Sequence, residues 1–174
     1  MSKLHLFNPS HDEALASNSP YYYPARAARI LGNDLAVLPA WWADAGDIVL
    51  LPEEKALPTT DFTQRGIRFA HPHDLRTLAS EITAVCPWGW DPLLVHQLQR
   101  WGVDASLLPD ANQLAHIRKC SSRESAVELL RNIRQDFPET LGTSRWCTTA
   151  DDVWTTVQAS LTAALYTMFF SAGI

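Results

Sequence analysis

Short apolar runs alternate with helix-like stretches along the first 110 residues. Leu4 to Phe7 is the first run, broken by Asn8-Pro9 and followed at once by His11, Asp12 and Glu13. The segment DIVLL, Asp47 to Leu51, carries four consecutive apolar residues, the pattern of a strand buried on both sides in a parallel sheet. IRFA at Ile67 to Ala70, ITAVC at Ile82 to Cys86 and a brief stretch at Ala105 to Leu108 read as further strands. Between them, Pro24 to Asp44 has helical composition, divided in two by Gly32-Asn33 and Pro39. Leu75 to Glu81 is a short helix. Pro92 to Trp101 is another, with Asp91 as cap, proline at the favoured first position, and Leu94, Leu98 and Trp101 on one face. The order predicts a Rossmann-like α/β domain over residues 1–110, a mostly parallel sheet with helices on both faces.

Beyond Pro109 the pattern becomes helical, and residues 111–174 read as a separate helical segment. Ser121 with Glu124 predicts a capping box for a helix from Arg123 to Gln135, whose apolar face is Ala126, Val127, Leu130 and Ile133. A connection from Pro138 to Thr148 holds a short strand near Arg145 to Cys147. Thr149 with Asp152 predicts a second box, and Val153, Val157, Leu161 and Leu165 form a second stripe. The last residues, YTMFFSAGI, are an apolar ending that suits either a shortened chain or packing against a partner.

Composition narrows the class of partner. With 47% apolar and 19% charged residues in 174, the chain suits a soluble globular protein. A net charge of −5, with fourteen basic residues scattered along the sequence, gives no reason to expect nucleic acid. Three widely spaced cysteines, Cys86, Cys120 and Cys147, fit reduced thiols in the cytoplasm and form no CxxC zinc pattern. The one long apolar stretch, Val153 to Ile174, is interrupted by Thr155, Thr156, Gln158, Ser160, Thr162 and Thr167, so no membrane span is expected.

Candidate chemistry concentrates after the first and fourth strands. In open α/β sheets ligands sit beyond the carboxyl ends of the strands, so Asn8, His11 and Asp12 are candidate substrate contacts; the alternative is that Ser10 or Asp12 caps a helix whose first turn favours acids. Trp88 and Trp90, flanking Gly89 ahead of Asp91, either line a concave site or seal the core. Trp41 and Trp42, neighbours on a helix, point about 100° apart, so one of them is a candidate interface residue. His71 and His73 in HPHD are two apart but lie in a loop with no completing ligand motif. Cys86 ends a strand and is either a nucleophile served by a nearby histidine or a small buried hydrophobe. GxGxxG, GxxxxGK[ST] and GxSxG are all absent.

The segment LLPDANQLAHIRKCSSRESAVELLRNIRQDFPETLGTSRWCTTADDVWTTV resembles the entry into an ATP-grasp domain after a pre-ATP-grasp domain, through Ser121, Arg123, Leu129, Leu130, Pro138 and Thr149 to Asp152. The start, FNPSHDEALASNSP followed by PARAARILGNDLAVLPAWWA, also resembles a group of bacterial proteins of this architecture. The resemblance implies the substrate-side N-terminal portion of a carboxylate–amine ligase. Asn8, His11, Asp12, Trp88, Trp90 and Asp91 would then meet a small-molecule substrate and Arg123 would approach nucleotide phosphate. ATP and Mg²⁺ are the implied cofactors of an intact member. The lysine strand, Gly-rich loop and metal carboxylates of that superfamily do not appear before Ile174, so catalysis by this chain alone is not expected. The alternative is a non-catalytic module that self-associates through its aromatics.

Overall fold

The computed structural model describes residues 2–58, 61–136 and 147–159. The chain divides into two compact units, Met1–Arg118 and Lys119–Ile174. The first is built on β1 (Ser2–Leu6), β2 (Ile48–Leu50), β3 (Arg68–Ala70) and β4 (Ile82–Pro87). These form one sheet in the order β3-β2-β1-β4, every pairing parallel. A Rossmann-like α/β architecture is what the apolar runs predict, and the topology agrees with it.

Strand alternation sorts the side chains into two cores. Leu4, Leu6, Ile48, Leu50, Ala70 and Ile82 face one way and pack against Leu75, Leu94 and Leu98. Those last residues come from α4 (Leu75–Leu78) and α5 (Pro92–Arg100). Val49, Leu51 and Ile67 face the other way, against Ala36, Ala40 and Ala43. Both faces of the central strand are thus covered, which is why β2 reads as a continuous apolar run.

The β1-to-β2 connection carries α1 (His11–Ser17), α2 (Arg26–Asp34) and a 3₁₀ turn, Leu38–Trp41. Gly32 and Asn33 lie inside α2 and do not divide it; the break comes after Asp34, and Pro39 sits in the 3₁₀ turn. No residue of α2 is buried. The short α3 (Asp61–Gln64) lies between β2 and β3.

The fifth strand expected at Ala105 to Leu108 is instead a 3₁₀ turn, Ala105–Leu107. Asp104 decides the outcome: its Oδ1 accepts from Ser106 N at 2.8 Å and holds the chain in a turn. Its apolar residues are still used, because Leu107 and Leu108 pack on the first core. Consequently, among the described residues, β4 pairs only with β1. Pro109 then leads to α6 (Ala111–Cys120), where Asp110 Oδ1 accepts from Gln113 N and Gln113 Oε1 accepts from Asp110 N, both at 2.8 Å.

In the second unit, α7 spans Arg123–Asp136. Its cap is Ser122, one residue later than the expected Ser121: Ser122 Oγ accepts from Ser125 N at 3.1 Å. A further helix, α8, covers residues 150–159. The box expected there is formed, with Thr149 Oγ1 accepting from Asp152 N and Asp152 Oδ2 accepting from Thr149 N, each at 3.1 Å. The connection from Pro138, most of the strand near Arg145, and the apolar ending including Leu161 and Leu165 lie outside the described residues. Among the described residues, no helix is long and apolar enough to cross a membrane.

Candidate functional site

Strands β1 to β3 step in one direction from β1, and β4 returns to its other side. The point of reversal, between the carboxyl ends of β1 and β4, is where such sheets open a crevice for ligands. Asn8 stands there. Its Nδ2 donates to Gly89 O at 2.7 Å and to Asp91 Oδ2 at 3.1 Å, while its Oδ1 accepts from Gly89 N at 3.2 Å. Asn8 therefore fastens the loop after β1 to the loop after β4. Trp88 N reinforces the junction by donating to Leu6 O at 3.0 Å.

His11 closes over the same point. Its ring packs so tightly on Gly89 that a Cβ there would fall inside the imidazole, which explains why glycine separates the two tryptophans. The His11 Nε2 lies 3.2 Å from Asp12 Oδ1, and the buried Nδ1 has no hydrogen-bond partner in the protein. Asp12 itself points outward and is exposed. Ser10 occupies the cap position of α1 without a side-chain capping bond, so the capping alternative for Ser10 is not realised. Glu13 is engaged elsewhere, accepting from Tyr22 Oη at 2.6 Å; that bond pushes the Tyr22 phenol up.

Asp91 is the buried member. Its Oδ1 accepts from Leu94 N at 2.8 Å, the N-cap bond of α5. Burial pushes its carboxyl up, opposed by the Leu94 and Leu93 amides, Asn8 and the nearby His11. Asn8, His11 and Asp91 are thus brought together around Gly89.

The two tryptophans part company. Trp88 stays half exposed and meets Phe7 edge-on at 5.3 Å and Trp42 at 6.5 Å between ring centroids. Trp90 packs against the core that holds Leu94 and Leu98, which is the sealing alternative. Trp41 and Trp42 are both exposed, Trp41 leaning on Phe62 at 5.3 Å. Arg123, an exposed residue, opens α7 in the second unit. His71 and His73 have partners of their own: His71 Nδ1 lies 2.9 Å from Pro52 O and His73 Nδ1 2.6 Å from Glu53 Oε2. Among the described residues no group of three or more His, Cys, Asp or Glu side chains is arranged to hold a metal ion.

Beside the stitched loops lies a cleft of about 730 Å³ over the carboxyl ends of β1 and β2. Asn8, Arg26, Arg29, Asn33, Glu54 and Gln97 supply its polar lining, over an apolar floor that includes Leu6, Leu50 and Leu94. Arg29 is steadied by Tyr23, its guanidinium carbon lying 4.8 Å from the ring centroid. The two arginines are three apart on α2, and helical spacing puts both on the same side. The spacing itself is present in the sequence as PARAAR, Pro24 to Arg29.

No protein-family model, curated protein or solved structure matches the chain.

Proposed function

We propose that residues 2–118 form a binding domain for a small carboxylate-bearing molecule, which enters the cleft between α2 and α5 and is held by Arg26 and Arg29. The single observation that carries this reading is the pair of arginines lining a cleft at the carboxyl rim of a parallel sheet. Guanidinium groups match carboxylates through paired N–H donors, and the apolar floor accommodates the remainder of a small molecule. Asn8 lines the same cleft and links it to the loop that carries Gly89 and Asp91.

The ATP-grasp resemblance of the segment from Leu107 onward supports a narrower reading, in which this domain presents the carboxylate substrate of an ATP-dependent ligase. Arg123 would then serve the nucleotide. Among the described residues no group of three or more His, Cys, Asp or Glu side chains is arranged to hold a metal ion, and no reaction step is assigned to Mg²⁺.

Thermal-shift titration of the full chain tests both levels. Citrate and glutamate serve as carboxylate probes, and a ligand at one hundred times its dissociation constant stabilises a protein by about 2.7 kcal/mol. A shift that Arg26→Ala/Arg29→Ala abolishes supports the binding reading; no shift with either probe at millimolar concentration overturns it. A separate shift with MgATP, lost in Arg123→Ala, supports the ligase reading, and its absence removes that reading alone.

A second reading, self-association, is favoured by the exposure of Trp41 and Trp42, 69% and 51%. Light scattering decides it: a strict monomer at high concentration dismisses it.

A further inference from the structure

The cleft between α2 and α5 carries charge of both signs. Among the described residues its charged lining consists of Arg26, Arg29 and Glu54, two cations and one anion. Glu54 belongs to the turn after β2, and both of its neighbours are occupied. Glu53 Oε2 lies 2.6 Å from His73 Nδ1, and Lys55 Nζ donates to Asn33 O at 2.5 Å and to Asp34 O at 3.2 Å. Glu54 stands exposed between them, and among the described residues it forms no ion pair with either arginine or with any other cation.

Lys55 fixes where that anion stands. By holding the last carbonyls of α2 it sets the turn beside the C-terminal end of the helix, whereas Arg26 and Arg29 lie among its first four residues. At about 1.5 Å of rise per residue, Asn33 is about 6 Å along the axis from Arg29 and about 10 Å from Arg26. Opposite charges therefore line one cleft without neutralising one another. Their complement is a guest that carries the reverse set.

We propose that the guest is an amino dicarboxylate, a small molecule with two carboxylates and one ammonium group. This deepens the carboxylate-binding reading above and rests on it. Each guanidinium takes one carboxylate through paired N–H donors, and Glu54 accepts from the ammonium. The order along α2 sets the direction: the ammonium lies at the Glu54 end, the carboxylate beside it meets Arg29, and the far carboxylate meets Arg26. The negatively polarised C-terminal end of α2 favours the same direction. The methylenes between the charges lie over the apolar floor that includes Leu50 and Leu94. Glu54 supplies the discrimination, because a dicarboxylate without the ammonium sets a doubly negative guest against an unanswered anion.

Calorimetric titration of the full chain with glutamate and with glutarate, which share one dicarboxylate skeleton and differ by the ammonium, tests the proposal. Glutamate should bind at least about tenfold more tightly than glutarate, in keeping with a hydrogen bond between charged groups. Glu54→Gln, at an exposed position, should weaken glutamate until the two acids bind alike. Equal affinities in the wild type overturn the proposal, and that comparison needs no variant. A preference for glutamate that survives Glu54→Gln overturns it equally. In both cases, binding of the two acids that Arg26→Ala/Arg29→Ala removes leaves the carboxylate reading standing, whereas no binding of glutamate, glutarate or citrate removes both readings.

Discussion

The His11 imidazole occupies the space that a side chain on Gly89 would need. Gly89→Ala should therefore force the ring aside and cost about 1–3 kcal/mol, the usual range for overpacking. Because the two sites share one volume, their effects should not add: His11→Ala in the Gly89→Ala background should recover part of the loss. Urea denaturation of the two single variants and the double variant measures this, and additive losses would show that the contact is not the cause.

Asn8 satisfies both backbone groups of Gly89 as well as one oxygen of Asp91. Asn8→Ala strands them, and the expected loss is about 1–3 kcal/mol. Asn8→Asp should be the more damaging change, since it replaces a donor facing a carbonyl and a carboxylate by another negative group. A stability ranking with Asn8→Asp above Asn8→Ala would contradict the bonding pattern described.

Asp47 predicts an acid-side instability. Its folded pKa is lowered, so its stabilising contribution is complete above the ordinary aspartate value of about 3.9 and is lost as pH falls through the lower folded value. Denaturation midpoints measured from about pH 5 down to about pH 2 should fall, and Asp47→Asn should flatten that portion of the curve. An unchanged slope in Asp47→Asn would assign the acid response to other carboxylates.

His73 predicts the opposite sign. The Glu53 hydrogen bond raises its pKa, joined by the charges of Asp74 and Glu53 and resisted by burial. Its contribution is present below the unfolded value and disappears as pH rises through the raised folded one. In a histidine-edited NMR titration, Glu53→Gln should move the His73 midpoint down; an unmoved midpoint would rule out Glu53 as the main cause.

What the sequence discloses and what it hides separate along physical lines. The strands were legible because double-sided burial demands uninterrupted apolar residues, as in Ile48–Leu50. Asp91 was legible because a cap and its following proline are contiguous with the helix they start. The Ala105 stretch is ambiguous in the sequence because Leu107 and Leu108 are apolar in a turn as they would be in a strand, and only the Asp104 bond to Ser106 N bends it. Long-range pairings leave the weakest trace: nothing near His5 announces Asp47, 42 positions away, and nothing near Asn8 announces Gly89, 81 positions away. Arg26 and Arg29 were readable in principle from their spacing, but only the cleft gives that spacing a purpose.

The Asn8 fastening also settles where the rim of the cleft yields. The two loops it joins are tied through both backbone groups of Gly89, whereas α2 on the facing side buries none of its residues and is held at its end by Lys55 Nζ, which donates to Asn33 O and Asp34 O. In the binding reading proposed above, the side of the cleft with the fewer interior contacts is the helix that carries both arginines.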